Sequence, residues 1–374
     1  MTPSDLQAQA IAAIKAWWLD PNRKQVFYLA GYAGTGKSTV YEVIRQELEA
    51  LGAEKIVTCT FTGKAANVLR RKGTLDAMTL HAATYSFEED PKTGRFTFTK
   101  NPMGPAASAD LIGLDECSMV DDDMAEDLLS FGKPILVMGD PGQLPPIRGP
   151  GAFTAGEPDF FLREIHRQAA DSPILRIATA ARLGERVEIG DYGSGVKVLQ
   201  LTGETAEEVY RDGTQAICGI HTARHKITAE YRKRRGFEGV IPMVGETLIC
   251  MRNDRSRGLF NGGLGVALKS RKVLSGLYRL DVQMEDHEHP DPDLVVSPHH
   301  FLKHTDPTAE RPQGVRGLLE FDYGYVITCH KAQGSEWPHV TIVDDSGSFR
   351  QDAARWKYTA ITRASEGLTL LVRR

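Results

Sequence analysis

The chain has 374 residues, 41% of them hydrophobic and 25% charged, a balance typical of soluble globular proteins that excludes collagen-like and disordered chains. This length is too great for one ordinary hydrophobic core and predicts two or three domains. The 45 Lys and Arg residues against 49 Asp and Glu give a net charge of −4, so the chain is no polycationic coat for DNA, although a local basic groove would still suit nucleic acid.

The cysteines and the apolar runs bear on the cellular compartment. The cysteines are five in number and none has C-x-x-C spacing, which argues against a disulfide framework and favours a reducing cytosol. The apolar runs are only strand-length, so neither an export signal nor a transmembrane helix is predicted. We therefore expect a cytoplasmic protein of a bacterial cell, with phage or cellular origin left open.

The first part of the chain alternates between helical and strand patterns. A capping box formed by Ser4 and Gln7 begins a helix whose apolar residues recur at helical spacing. The next predicted elements are strands at 26–30, 56–59, 111–114 and 135–138 and helices at 38–51 and 65–71. This alternation predicts the α/β class, with a parallel sheet and crossover helices.

The rest of the chain repeats the pattern with an interruption. Strands at 196–199, 215–219, 340–343 and 368–372 and a helix at 223–235 predict a second α/β unit. Residues 245–320 are rich in Gly, Pro and short β-prone runs, which indicates a small inserted β-domain. A further insert at 84–102 predicts a β-hairpin with Phe96 and Phe98 on one face.

A glycine-rich turn follows the first predicted strand. The segment Gly31-Tyr32-Ala33-Gly34-Thr35-Gly36-Lys37-Ser38 fits the phosphate-binding pattern G-x-x-x-x-G-K-[ST] between a strand and a helix. Its glycines let backbone N–H groups wrap a polyphosphate at a helix N-terminus. Lys37 is expected to reach the β- and γ-phosphates and Ser38 to hold Mg²⁺, so ATP and Mg²⁺ are the predicted cofactors.

Two carboxylates follow the predicted strand at 111–114. Asp115 and Glu116 stand at the edge where nucleotides bind in open α/β sheets. Asp115 is expected to order the water shell of the Mg²⁺, and Glu116 to polarise the attacking water. By itself an apolar run that ends in Asp-Glu is ordinarily a solvated strand end, and the phosphate-binding loop upstream favours the catalytic interpretation.

Seven segments stand in the order of the motifs of superfamily 1 helicases. They are Gly36-Lys37-Ser38, Thr62-Gly63-Lys64-Ala65-Ala66, Asp115-Glu116-Cys117-Ser118-Met119, Gly139-Asp140-Pro141-Gly142-Gln143-Leu144-Pro145-Pro146, His166-Arg167-Gln168, Thr328-Cys329-His330-Lys331-Ala332-Gln333-Gly334-Ser335-Glu336 and Tyr358-Thr359-Ala360-Ile361-Thr362-Arg363-Ala364. The chain resembles the RecD-like, Dda-like branch, superfamily 1B, and within it the compact Dda type. The resemblance implies two RecA-like domains (1–83 with 103–157, and 158–244 with 321–374) flanking an ATP cleft, a hairpin at 84–102 and an SH3-like domain at 245–320.

The resemblance also implies the residues that contact the nucleotide. Gln143 would sense the γ-phosphate, and Arg167 and Arg363 would neutralise charge on the transferring phosphoryl group beside Lys37, Asp115 and Glu116. Gln9 and His166 are the implied contacts to the adenine. The other implied nucleotide-binding positions are Gly34, Thr35, Gly36, Lys37, Ser38, Thr39, Gly334 and Glu336. The ordinary alternative for Gln143 is a polar turn residue. For Arg167 and Arg363 it is a surface arginine, and for Gln9 it is a polar helix residue.

Contacts to single-stranded DNA are implied in the same way. The residues are Phe61, Thr62, Lys64, Thr79, His81, Phe98, Thr328, His330 and Lys331. Hydroxyls, imidazoles and amines at loop–helix junctions suit phosphate oxygens, which carry no sequence information. Helix capping is the alternative role of Thr79 and His81. Phe61 and His166 depart from the Pro and Tyr that relatives often have.

Two further patterns have ordinary interpretations. The run Arg232-Lys233-Arg234-Arg235 ends a predicted helix, where cations favour the helix dipole, so we interpret it as a solvated helix end. His287 and His289, with His299 and His300 downstream, hint at a metal, but the Asp- and Pro-rich residues 286–293 predict a flexible polar loop instead.

The expected activity is ATP hydrolysis coupled to 5′→3′ translocation on single-stranded DNA, with unwinding of forked duplexes by a monomer. Polarity rests on the resemblance alone. Single-strand binding, replication or repair proteins are the expected further partners. The alternatives are a translocase that displaces proteins without separating strands and a nucleotide-gated DNA-binding switch.

Overall fold

The computed structural model describes residues 3–71, 73–89, 96–146, 149–164, 172–273, 276–306, 308–310 and 318–373. The helices are α1 Asp5–Leu19, α2 Lys37–Ala50, α3 Gly63–Arg71, α4 Leu80–Thr84, α5 Asp122–Leu129, α6 Pro173–Arg182, α7 His221–Arg234, α8 His299–Leu302, α9 Cys329–Ala332 and α10 Ala353–Ile361. Within the described ranges, no helix combines the length and the apolar character that a membrane crossing requires.

The strands are numbered in chain order. They are β1 Val26–Gly31, β2 Ile56–Thr60, β3 Met78–Thr79, β4 Tyr85–Glu89, β5 Phe96–Lys100, β6 Leu111–Asp115, β7 Ile135–Gly139, β8 Phe160–Leu162, β9 Gly190–Gly193, β10 Val196–Gln200, β11 Gln215–Cys218, β12 Thr247–Cys250, β13 Leu264–Lys272, β14 Tyr278–Met284, β15 Asp291–Ser297, β16 Leu319–Tyr323, β17 Val326–Thr328, β18 Trp337–Val343 and β19 Ala364–Val372. Contacts divide the chain into two compact units, the first comprising Met1–Phe87, Phe98–Val187 and Gln351–Thr362 and the second Glu88–Thr97, Glu188–Arg350 and Arg363–Arg374.

A parallel sheet forms the centre of the first unit. Its strands lie in the order β3-β2-β6-β7-β1-β8, and each neighbouring pair is parallel. A parallel sheet needs helices on both faces, which is why β2 and β7 are buried along their whole length. The predicted α/β fold with a parallel sheet is confirmed, and the strands' C-terminal ends meet at one edge.

The N-terminal helix begins where the sequence predicts. The Ser4 hydroxyl accepts a hydrogen bond from the Gln7 backbone N–H, and the Gln7 side chain accepts one from the Ser4 N–H. This reciprocal pair satisfies two of the N–H groups that a helix start leaves free. The apolar face of α1, including Ile14 and Trp17, packs into the same core as α2.

The second unit contains a sheet and a barrel. The sheet order is β17-β11-β18-β19-β10-β9, parallel except for the β9–β10 pair. The barrel closes in the order β12-β13-β14-β15-β16, with β12 hydrogen-bonded to β16. Its inward side chains, among them Val282 and Phe321, are fully buried and share one core with the sheet.

Strand β15 corrects the last three residues of the loop predicted at 286–293, whereas residues 286–290 lie outside any helix or strand, as predicted. Asp291 begins the strand, and Asp293 adopts a positive φ of 56° at an irregularity of the β14–β15 pairing. The Asp293 N–H donates to the Asp281 carboxylate, and His287 bonds both Asp291 and the Gly258 carbonyl. The polar residues satisfy a bulged strand, which composition alone does not distinguish from a loop.

The basic run at the end of α7 is engaged in ion pairs. Arg232 donates to both carboxylate oxygens of the buried Glu246, at 2.7 and 3.1 Å. Arg234 pairs with Glu207 and Glu230, and Arg235 pairs with Asp212. These pairs support a structural role for the run and not a DNA contact.

Candidate functional site

The phosphate-binding loop connects β1 to α2. Gly34 and Gly36 have φ of 80° and 77°, a backbone region that side chains other than glycine rarely adopt. Thr35 between them is buried and donates its hydroxyl to the Tyr32 carbonyl at 2.8 Å. Ser38 and Thr39, in the first turn of α2, are exposed. The loop therefore presents a helix N-terminus and an available hydroxyl to a ligand.

Lys37 lies inside this loop. Its Nζ donates to the carbonyl oxygens of Gly31 and Tyr32, at 2.7 and 3.2 Å. These bonds keep the ammonium group over the turn. A polyphosphate would offer stronger, charged acceptors to the same ammonium group.

Asp115 and Glu116 lie at the sheet edge as predicted. Asp115 is the last residue of β6, and its Oδ1 accepts the Glu116 N–H at 2.9 Å. Glu116 has a φ of 56°, one of the few positive values at a non-glycine residue among those the structure describes. Such conformations cost about 1–3 kcal/mol and concentrate at functional sites.

The turn after β7 holds Asp140 and Gln143. Asp140 is buried, and burial raises the pKa of its carboxyl, while nearby Lys37 favours the charged form. Gln143 is also buried, and its Oε1 has no hydrogen-bond partner among the described residues. Because an unpaired buried acceptor is costly, the amide is poised for a ligand or a water molecule.

Tyr358, on α10, connects this turn to the phosphate-binding loop. Its hydroxyl donates to Asp140 Oδ2 at 2.6 Å and accepts the Ala33 N–H at 2.8 Å. The next residue, Thr359, accepts the Leu144 N–H through its hydroxyl at 2.8 Å. Tyr358 lies in the last of the seven motifs, which does not by itself predict this role. An aromatic hydroxyl beside Thr-Ala-x-Thr-Arg is the signal available in the sequence.

The residue of α1 that reaches the loop is Gln7 and not Gln9. The Gln7 side chain is buried, and its Nε2 donates to the Thr35 carbonyl at 3.1 Å. Gln9 is exposed. Residues two positions apart in a helix are about 200° apart around its axis, so only one of Gln7 and Gln9 can face the loop. The adenine contact implied for Gln9 stays a prediction, and the glutamine of α1 that contacts the loop in the structure is Gln7.

The other residues implied to contact the nucleotide are His166, Arg167, Gly334, Glu336 and Arg363. His166 and Arg167 fall outside the described residues. In the second unit, Gly334 has a φ of 72° and Glu336 is exposed. Arg363 is buried and donates its guanidinium to the Ser335 carbonyl at 3.2 Å, so it belongs to the fold of this unit.

Three threonines cap short helices after strands in the same manner. Thr62 accepts the Ala65 N–H, Thr79 the Ala82 N–H and Thr328 the Lys331 N–H, at 3.1, 3.2 and 3.4 Å. The second residue of each helix is a Lys or a His, namely Lys64, His81 and His330. A capping hydroxyl still has its own hydrogen to donate. Capping and phosphate contact are therefore compatible.

Aromatic rings surround His81 in the first unit. Phe61, Tyr85 and Phe98 have ring centroids 6.1, 5.8 and 5.7 Å from the His81 ring. Phe98, on β5, is nevertheless 53% exposed. Its ring thus packs against its own unit and is exposed over about half of its surface.

Lys331, in the second unit, contacts the side-chain oxygen of Asn261. Burial lowers the pKa of its ammonium to about 8. The neighbouring His330 ring lies 5.8 Å from the ring of Phe349. Lys331 is charged at neutral pH and loses that charge in mildly alkaline solution.

The residues at the edge of the first sheet fit a Mg²⁺–triphosphate. Hard oxygen ligands from a hydroxyl and a carboxylate suit Mg²⁺, and Ser38 and Asp115 supply both types. The loop glycines supply the backbone donors, Lys37 the cation and Gln143 an unpaired amide oxygen. The donor set is thus that of a nucleotide site.

Comparisons with known proteins agree with this chemistry. Residues 4–203, more than half of the chain, match the family described as "AAA domain", and residues 323–371 match the "UvrD-like helicase C-terminal domain". The ATP-dependent RecD2 DNA helicase of Deinococcus radiodurans is 28% identical over 361 residues, 90% of this chain and 46% of that protein. The ATP-dependent DNA helicase dda of Enterobacteria phage T4 is 28% identical over 200 residues, 49% of this chain and 44% of that protein.

A solved structure shows the same fold. The Pif1 helicase from Bacteroides, in complex with ADP-AlF3 and ssDNA, superposes with a TM-score of 0.59 at 16% identity, covering 99% of this chain and 92% of that one. The chain spans less than half the length of the two curated relatives. From the family match, the relatives and the order of its motifs, the chain belongs to the AAA domain family and to superfamily 1B of the helicases.

Proposed function

We propose that this chain is an ATP-dependent DNA helicase that hydrolyses ATP to move 5′→3′ along single-stranded DNA. The observation that carries the proposal is the set of groups at one sheet edge: the glycine-rich loop with Lys37, the strained Glu116 and the unpaired amide of Gln143. A general base, a cation and a water-orienting amide are the parts that phosphoryl transfer to water requires.

The chain's own groups have distinct roles in this proposal. Lys37 would exchange its loop carbonyls for the β- and γ-phosphates, and Glu116 would take the proton of the attacking water. Gln143 would accept a hydrogen bond from the same water through Oε1. Bound Mg²⁺, held by Ser38 and Asp115, would neutralise phosphate charge. Gln7 would orient the adenine end of the loop through Thr35.

The DNA contacts in this proposal come from the capped helices. Thr79 and Thr328 end strands, Thr62 lies two residues after one, and all three keep a hydroxyl hydrogen to donate. Lys64 and Lys331 add positive charge, and His81 adds an imidazole. Donors at helix starts suit phosphates and read no bases, which fits movement along any sequence. The second unit would also supply Arg363 to the triphosphate.

We infer the finer architecture from the family. The two parallel-sheet units would be the RecA-like domains, the β12–β16 barrel the SH3-like insert, and the β4–β5 ribbon the hairpin that meets the fork. The parallel sheets and the closed barrel support this assignment.

The decisive experiment uses duplexes with either a 5′ or a 3′ single-stranded tail. We expect ATP-dependent unwinding of the 5′-tailed duplex and none of the 3′-tailed one, with Lys37→Ala as the inactive control. Unwinding of the 3′-tailed duplex alone would contradict the polarity. Stimulated ATPase without unwinding of either duplex would favour the protein-displacing translocase, and ATPase that single strands do not stimulate would favour the switch.

A further inference from the structure

Three side chains of types that ligate metals converge in the second unit. His299 and His300 begin α8, and Glu320 lies on β16. Glu320 Oε2 is 3.0 Å from His300 Nε2 and 3.9 Å from His299 Nε2, and one ligand atom from each residue lies within 4.8 Å of the other two. The three side chains are 8, 19 and 12% exposed, in the order His299, His300, Glu320.

The separations fit a small divalent ion. Two ligands about 2.0–2.1 Å from a tetrahedral Zn²⁺ are about 3.3 Å apart. The two distances from Glu320 Oε2, 3.0 and 3.9 Å, bracket this value. Both histidine nitrogens therefore lie close to the distance from Glu320 Oε2 that two ligands of one ion would have.

The other nitrogen of His299 is already engaged. His299 Nδ1 lies 3.1 Å from the Ser297 hydroxyl. Metal-bound histidines ordinarily make such a bond through the nitrogen that does not hold the metal, and the bond fixes the ring. When Nδ1–H donates to Ser297, Nε2 carries the lone pair, and it lies 3.9 Å from Glu320 Oε2, a separation that a cation between the two atoms would bridge.

We propose that His299, His300 and Glu320 form a Zn²⁺ site with three protein ligands and one open position. Two imidazoles and one carboxylate form a ligand set that binds Zn²⁺ in preference to Mg²⁺ or Ca²⁺. The ion would join α8 to β16, the barrel strand that also carries Asp322. Asp322 in turn accepts hydrogen bonds from Arg224 and His304, both at 2.7 Å. This proposal does not depend on ATP hydrolysis.

The simpler account of these residues is a protonated His300 paired with Glu320. That pair would need no metal, and His299, whose Nε2 lies 3.9 Å from the same carboxylate oxygen, would contribute only at longer range. The two accounts differ in what divalent ions do to the folded chain. Binding to the folded state alone raises its thermal stability in proportion to the logarithm of ion concentration.

The test uses the full chain without a histidine tag, treated with a chelator and kept free of nucleotide. Titration with Co²⁺ should give visible absorption bands of a tetrahedral ion that saturate at one equivalent, and Zn²⁺ should displace them. Zn²⁺ should also raise the midpoint of thermal unfolding. His300→Ala and Glu320→Gln should each weaken binding at least tenfold, and Ser297→Ala roughly tenfold.

His289→Ala is the matched control, because His289 is exposed on the same barrel and lies outside the cluster; it should bind like the unmodified chain. Circular dichroism establishes that each variant is folded, and Glu320→Gln, nearly isosteric, serves if His300→Ala does not fold. Absence of Co²⁺ bands, equal affinity in the ligand variants, or an intense thiolate charge-transfer band would each overturn the site.

Discussion

Glu116 combines two properties that are seldom found in one residue: a left-handed backbone conformation and a side chain at the proposed reaction centre. Its φ of 56° follows directly on β6, where Asp115 accepts its N–H. A non-glycine residue in this region costs roughly 1–2 kcal/mol relative to an ordinary conformation. The fold thus loses stability in placing one carboxylate. The loss of stability and the catalytic role of the carboxylate can be measured separately.

Glu116→Gln should lower kcat of the DNA-stimulated ATPase at least about 100-fold, because an amide cannot take the proton of water. Glu116→Gly should lower it equally while raising the free energy of unfolding by about 1 kcal/mol, since glycine relieves the strain. Glu126→Gln, on the exposed face of α5, is the control for both assays. A Glu116→Gln chain with near-normal turnover would refute the assignment.

Lys331 predicts a pH dependence of DNA binding. Its pKa is lowered to about 8 by burial, so the folded chain holds this proton less tightly than the unfolded chain, whose lysine has its ordinary value of 10.5. The stability contribution of the neutral amine is therefore present above pH 10.5 and is lost as the pH falls through 8. A phosphate contact needs the charged amine and has the opposite trend.

Single-strand affinity should accordingly fall roughly fivefold to tenfold between pH 7 and pH 9 at constant salt, as fluorescence anisotropy of a labelled oligonucleotide would measure. Lys331→Arg keeps its charge over this range and should flatten the profile. An unchanged slope in Lys331→Arg would assign the pH effect to another group.

At the scale of elements, substitutions of a capping threonine separate its role in helix stability from its proposed role in DNA binding. Asp and Asn cap helices about as well as Thr. Thr79→Asp and Thr79→Asn should therefore both keep the free energy of unfolding within about 0.5 kcal/mol, whereas Thr79→Ala should lose about 1 kcal/mol. Only Thr79→Asp places an anion where DNA phosphate would lie, and it should weaken single-strand binding at least fivefold. Equal affinity of the Asp and Asn variants would leave capping as the sole role of Thr79.

The ribbon of β4 and β5 predicts a difference between unwinding and ATPase. Phe98 contacts the His81 and Tyr85 rings edge-on, and the exposed 53% of its surface is where a base would stack. Phe98→Ala should reduce unwinding of a forked duplex several-fold and leave single-strand-stimulated ATPase nearly unchanged. Phe98→Leu, which keeps apolar volume, should behave like Phe98→Ala if stacking matters. Loss of both activities in Phe98→Ala would show that the ring only packs.

Elements with strong local signals were predictable, and those set by long-range contacts were not. The capping box at Ser4 and the glycines before Lys37 act locally, so α1 begins after its predicted cap, and β1 and α2 lie within one residue of their predicted ranges. The choice between Gln7 and Gln9 depends on the direction from which α1 approaches the loop, which spacing does not encode. In β15, Asp293 pairs with Asp281 across a bulge, a contact between strands that composition cannot reveal.

At the scale of the whole molecule, substitution of Arg363 tests whether the second unit participates in ATP hydrolysis. Its guanidinium already bonds the Ser335 carbonyl, so its removal should cost some stability, contrary to the expectation for a surface arginine. Arg363→Ala should lower kcat at least tenfold and leave single-strand affinity without nucleotide within about twofold. Arg355→Ala removes an exposed arginine and is the control. A kcat within about threefold of the unmodified chain would exclude Arg363 from the chemistry.

The place of α10 in the chain has a consequence for synthesis on the ribosome. The first unit is interrupted by residues 188–350 and resumes at Gln351, so the ribosome must add 163 residues before α10 exists. At about 5–20 residues per second this takes roughly 8–33 s. Until then Ala33 and Asp140 lack the Tyr358 hydroxyl, Leu144 lacks Thr359, and the surface of α6 that α10 covers is open to water. A nascent chain therefore carries an incomplete phosphate loop and an uncovered apolar face, and chaperone capture during translation is the expected fate of chains that stall in this interval.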